Sequence, residues 1–202
     1  MPNSNLPKLV DVLRCRPGLV AAGLAVAMTV SGCRSEKALM PLEPGQRKTY
    51  SVRTRYITYV DTMRVVGPVS VDGTTGVDVV GRLGFVRLGW RRNELIADRL
   101  HGTRADPPIV LAVAGEESAR REWNGSIVVN GQIRPVQGRL EQQPDQVPVG
   151  TRNLPGVRSE LTLRPAGGPP IVLTSWFVPG RGLVRQEQRT GGELDFRLDL
   201  VR

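Results

Sequence analysis

The chain has 202 residues, 40% apolar and 23% charged, with 28 basic and 19 acidic side chains, one histidine and two cysteines. That is enough apolar content for one domain with a buried core, and too much for a disordered chain. Two cysteines cannot build a disulfide framework or a cysteine-ligated zinc site, and one histidine excludes histidine-rich metal and catalytic clusters.

Residues 1–17 are polar, with Lys8, Arg14 and Arg16, and lead into an uncharged run over 18–30. A membrane-crossing helix needs about 20 apolar residues, so this run is too short to span and suits the core of a signal peptide. It ends in Val30-Ser31-Gly32-Cys33, where small side chains leave room for a peptidase at the Gly32–Cys33 bond. The tetrapeptide resembles the bacterial lipobox. The resemblance implies that 1–32 is a lipoprotein signal peptide cut between Gly32 and Cys33, and that the Cys33 thiol carries diacylglycerol. It also implies acylation of the new amino terminus. Two or three acyl chains, at about 0.8 kcal/mol per buried methylene, hold a protein on a membrane far better than one.

Residues 33–202 keep 25 basic and 18 acidic side chains, and 23 of the 25 are arginine. They are interspersed with Asp and Glu and form none of the basic blocks of a nucleic-acid arm, so nucleic acid is not expected as a partner. Solvated faces of β-strands account for them, with a mild attraction to anionic headgroups or envelope polymers.

Segment 33–47 carries Pro41, Pro44 and Gly45 without alternation and reads as the lipidated cysteine followed by a flexible tether. From 48 to 202 the chain reads as one domain of period two. Tyr50, Val52 and Tyr56 lie opposite Arg53 and Arg55; Val157, Leu161 and Leu163 lie opposite Arg158, Glu160 and Arg164; 194–200 alternates likewise. Shorter apolar runs at 77–80, 85–90, 127–129 and 171–178 add strands. Turns are expected at Asp72-Gly73, Asn130-Gly131, Pro155-Gly156, Gly167-Gly168 and Gly191-Gly192. Segments 94–100 and 115–122 each suit about two turns of helix, the second with Glu117 and Arg121 at i,i+4 spacing. The expected fold is all-β: an antiparallel β-sandwich, or an open or half β-barrel, of about ten strands after the signal peptide and tether. A membrane-spanning barrel fits poorly with the lipobox, the arginine-rich wet faces and the irregular strand lengths.

Chemistry is sparse. His101 sits in Leu100-His-Gly-Thr103 with no nucleophile-elbow pattern and reads as an exposed loop residue. Gly81-Arg-Leu-Gly84 lacks the Lys-Ser/Thr of a phosphate-binding loop. Adjacent Glu116 and Glu117 cannot face one another across a site, and Asn124-Gly-Ser126 reads as a turn. Trp90, Trp123 and Trp176 are expected in the core, with a shared ligand groove as the other reading. No catalytic residue, metal ligand or cofactor is assigned.

Three segments together resemble a broad group of uncharacterised bacterial lipoproteins. Pro41-Leu-Glu-Pro-Gly45 is similar to their Pro-Leu-x-x-Gly start. Trp176-Phe-Val-Pro-Gly-Arg-Gly-Leu-Val184 is similar to their late Trp-x-x-Pro-Gly-x-Gly-Leu-Val hairpin, and Val147-Pro-Val-Gly-Thr151 to a short Val-Pro-Ala-Gly-Thr segment. The group implies a lipid-anchored, β-rich envelope domain and transfers no catalytic residue.

The expected function is therefore a non-enzymatic binding or scaffolding role in the bacterial envelope, with a membrane as one partner and an envelope protein or amphiphile as another. The alternative is a carrier of a lipid or other amphiphile in a curved β-sheet cavity. Arg34, not Asp, follows Cys33, which by resemblance to enterobacterial lipoproteins favours the outer membrane, facing the periplasm, over the inner one.

Overall fold

The computed structural model describes residues 39–129 and 131–201. Among these, twelve strands follow one another: β1 (Arg47–Thr54), β2 (Thr58–Val71), β3 (Thr74–Gly81), β4 (Gly84–Arg91), β5 (Glu94–Leu100), β6 (Thr103–Val113), β7 (Ala119–Val129), β8 (Gln132–Val149), β9 (Arg152–Pro165), β10 (Ile171–Val178), β11 (Gly182–Thr190) and β12 (Glu193–Leu200). Each pairs antiparallel with its neighbour in sequence, and β12 returns to β1, so the sheet closes into an up-and-down barrel. Closure sets Tyr50 opposite Leu200 and Val52 opposite Leu198.

The antiparallel all-β expectation holds, but sandwich, open barrel and half barrel are corrected to a closed barrel, and about ten strands to twelve. Several strands hide their alternation. In β2 an inward position is taken by Asp61, buried and accepting the Arg82 N–H at 2.7 Å. β6 contains Pro107 and Pro108, and β8 contains Gly138, Pro144 and Pro148, residues that argue against a strand interior. Closure itself pairs segments at opposite ends of the domain, which no local period reports.

The two expected helices are also corrected. Segment 94–100 is β5, and 115–122 is a turn entering β7. Arg121 ignores Glu117 and instead donates to Glu94 at 2.9 Å and Glu116 at 3.1 Å. Asp72-Gly73 turns with φ of 48° and 75°, and Gly191-Gly192 with 59° and 90°, the positive values a type I′ hairpin requires. Asn130 lies outside the described residues. Pro155-Gly156 is not a turn but lies inside β9, where a Cβ on Gly156 would stand 2.3 Å from the Phe177 carbonyl oxygen.

The barrel is apolar within and charged without. Val52, Leu95, Ile109, Ile127, Leu140 and Leu198 fill the interior. Ion pairs such as Arg185–Asp199, Arg87–Asp78 and Arg158–Glu160 line the outside. Membrane-spanning barrels have the reverse arrangement, so this outer face is built to meet water.

One seam interrupts the wall. β6 pairs with β7 only from Arg104 to Asp106, against Val128 to Ser126. Beyond that, Pro107 and Pro108 have no N–H to offer, and β6 turns inward so that every residue from Pro108 to Ala114 is buried. Side chains from across the barrel replace the lost ladder. Gln142 Oε1 accepts the Val113 N–H and its Nε2 donates to the Val113 carbonyl, both at 2.9 Å, while Ser159 Oγ donates to the Leu111 carbonyl at 2.5 Å. Trp123 Nε1 donates to the Pro107 carbonyl at 3.0 Å.

Candidate functional site

The expected lipidation and cleavage residues, Val30, Ser31, Gly32 and Cys33, lie outside the described residues, as does the rest of the signal segment. The chain enters the barrel at the rim that also carries the β2–β3, β4–β5, β6–β7, β8–β9 and β10–β11 turns, here termed the lower rim. Leu39 and Met40 are buried there. Met40 accepts the Leu183 N–H on its sulfur and the Trp90 indole N–H on its carbonyl, both at 3.4 Å. Gly45 and Gln46 then bond to the Val65 backbone at 2.9 Å and lead into β1. Of the segment read as a tether, residues 39–46 are therefore packed on the barrel.

Met40 and Pro41 cover an interior cavity of about 60 Å³ between β1–β5 and β10–β12. A water occupies about 30 Å³ of liquid, so this space suits one or two waters, well below the roughly 300 Å³ at which small-molecule sites begin. Its wall is mostly aliphatic, with four polar exceptions besides Gln46. Lys48 donates to the Arg181 carbonyl, and burial pushes its ammonium down to about 8. Tyr50 donates to the Leu183 carbonyl at 2.9 Å, and burial raises its phenol. Gln186 donates to Ser175 Oγ at 3.0 Å.

His101 is the fourth. The sequence reading of an exposed loop histidine is corrected: the backbone is indeed a turn, with φ of 45°, but the ring is folded inward against Phe196, with centroids 5.0 Å apart at 73°. Both ring nitrogens are buried without a hydrogen-bond partner among the described residues. Burial lowers the imidazolium pKa; Gln186 and the Leu83 backbone lie beside the ring and oppose the shift.

The larger concavity is a cleft of about 490 Å³ in the lower rim. Leu39 forms one wall, the β6–β7 turn contributes Glu116 and Glu117, β8 contributes Asp145, and Pro155 and Pro179 complete the rim. Glu116 is held by Arg121 and by Asn93 at 3.3 Å, and Asp145 accepts the Trp176 indole N–H at 3.0 Å. The size lies within the ordinary range for ligand sites. The sequence carries no signal for this cleft, because its residues come from five separate segments, of which only 144–146 and 155–157 are joined by a strand pairing, that of β8 with β9.

The three tryptophans do not share a groove. Trp123 is buried in the core, Trp90 packs under Met40, and Trp176 stands on the outer face among Val147, Val178 and Val184 with Arg185 over its ring at 5.7 Å. Among the described residues no group of three or more His, Cys, Asp or Glu side chains is placed to hold a metal, and no helix is long and apolar enough to cross a membrane.

No family model and no curated protein matches the chain. Solved structures are similar in fold. One is a protein described as a lipoprotein from Parabacteroides distasonis, 14% identical, with a TM-score of 0.47, covering 80% of this chain and 95% of its own. Another is the hypothetical lipoprotein YmcC from Escherichia coli, 10% identical, with a TM-score of 0.43, covering 77% and 83%. A third is a protein described as exported, with a YmcC-like fold, from Bacteroides fragilis, 11% identical, with a TM-score of 0.36, covering 81% and 97%. With every score below 0.5, the likeness ends at the broad path of the chain.

Proposed function

We propose that this chain is a lipid-anchored protein of the bacterial envelope, tethered through Cys33, with a non-enzymatic role in binding or scaffolding another envelope component. The lipobox-like Val30-Ser31-Gly32-Cys33 supports the anchor, and Arg34 favours an outer-membrane address facing the periplasm. The observation that carries the binding role is the position of the 490 Å³ cleft: Leu39, six residues after Cys33, forms part of its wall. Six residues reach at most about 20 Å, so the cleft stays close to the anchored membrane. A charged exterior and a filled interior suit a module that presents its surface better than one that swallows a ligand.

Native mass spectrometry of the full-length protein extracted from its own envelope, with lipid analysis and a panel of generic hydrolase substrates, tests this reading. The expected result is a barrel free of stoichiometric amphiphile and without turnover. A one-to-one amphiphile would replace scaffolding with the carrier reading, and turnover abolished by a point substitution would replace it with an enzyme.

A further inference from the structure

The seam between β6 and β7 leaves the edge of β7 without a backbone partner from Ala119 to Gly125. Val129 and Gln132 are the last pair of the β7–β8 ladder, and a pair separated by only two residues is hydrogen-bonded, so odd-numbered residues of β7 bond to β8. Even-numbered residues therefore present N–H and C=O to the vacated side. Arg104–Asp106 satisfy this edge only as far as Ser126, and Pro108 stands where Asn124 would look for a donor. The Arg120 carbonyl accepts from the Arg121 guanidinium at 3.1 Å, a side chain standing in for an absent strand. The side chains along the edge are accessible: Arg120 and Glu122 are 59% and 68% exposed and pair with one another at 3.0 Å, an exposed contact that exchange for the same pair across a dimer would replace at little cost.

We infer that β7 is a dimerisation edge, and that its occupant is β7 of a second copy of this chain, added antiparallel about a two-fold axis through Arg121. An extended polypeptide matches the alternating donors and acceptors of a strand edge, and charge selects both the copy and the register. Centred on Arg121, the pairing sets Arg120 opposite Glu122 of the other protomer twice, with Ser118 opposite Asn124. Centred on Glu122 it would oppose two glutamates, and centred on Arg120 two arginines, and like charges directly opposite are destabilising. The Arg121 side chains meet at the axis, each already neutralised by Glu94 and Glu116. The pairing turns the two barrels end for end, so anchors in one bilayer would require the barrel axes to run along its plane. The inference stands independently of the lipid anchor and of the cleft.

Sedimentation velocity of the full-length protein in detergent, over a concentration series, tests it with Arg120→Glu, Glu122→Arg and the double exchange. The expected result is a reversible dimer that each single exchange weakens about tenfold or more and that the double exchange restores, with unchanged thermal melting in all three. A monomer at every concentration, a dimer indifferent to the single exchanges, or a double exchange that fails to restore association would each overturn it. As a second readout, hydrogen exchange should protect the amides of Arg120, Glu122 and Asn124 on dimerisation. Unchanged exchange at those amides would place any dimer contact elsewhere.

Discussion

The side-chain amide of Gln142 pairs with the backbone of Val113 as a strand would, accepting its N–H and donating to its carbonyl at 2.9 Å each. The same Nε2 also donates to the Glu116 carbonyl at 2.7 Å, so one residue of β8 closes the end of β6 where the β6–β7 ladder has failed. Replacing it with leucine keeps the bulk and strands two buried backbone groups. Each such group costs about 1–3 kcal/mol, so Gln142→Leu should lower unfolding stability by about 2–6 kcal/mol in urea titration. Unchanged stability would show that the seam does not depend on this amide.

Gly156 lies where β9 passes the Phe177 carbonyl, and a Cβ there would stand 2.3 Å from that oxygen and 3.0 Å from Val147. Gly156→Ala should therefore destabilise the barrel by about 1–3 kcal/mol, the usual range for overpacking, as measured by chemical denaturation. Were Pro155-Gly156 a surface turn, the substitution would cost little.

That contrast separates what was legible in the sequence from what was not. Strands with one wet face were readable, because Tyr50/Val52 against Arg53, and Phe196/Leu198 against Arg197/Asp199, advertise two environments. Asp72-Gly73 and Gly191-Gly192 were readable as turns because positive φ favours those residues. Proline and glycine within β6, β8 and β9 misled, because the local rule that removes them from strands is overridden when bends, close crossings and side-chain partners such as Gln142 and Trp123 supply what the backbone lacks. The cleft was invisible for another reason: Leu39, Glu117 and Asp145 meet only after the barrel has closed.

Met40 seals the interior at the lower rim, with its sulfur on the Leu183 N–H and its carbonyl under Trp90. Met40→Ala should cost about 2 kcal/mol or more in stability and shift Trp90 fluorescence to longer wavelength as water enters. A variant with both properties unchanged would mean that residues 39–41 merely rest on the rim.

Two buried bases make opposite ends of the pH range informative. Lys48 has its pKa lowered by burial to about 8, so between pH 8 and about 10.5 the unfolded chain holds a proton that the folded chain has released. Its contribution thus becomes more favourable as pH rises through that window. His101 is likewise lowered by burial, so acidification below about 6.5 protonates the unfolded chain first and stability falls. Denaturation midpoints across pH should show a rise above 8 that Lys48→Met removes, and a loss on acidification below about 6.5 that His101→Leu flattens. Curves that superimpose on the parent would exclude these groups as the cause.

The anchor at Cys33 decides whether the lower rim is held near a membrane at all. Intact mass measurement of the full-length product, purified from bacterial membranes alongside Cys33→Ala, addresses it directly. The predicted result is a chain that begins at Cys33 and carries the mass of diacylglycerol with or without a further acyl group, and a Cys33→Ala protein without lipid. A membrane-extracted chain that keeps residues 1–32, or that begins at an unmodified Cys33, would contradict the proposal.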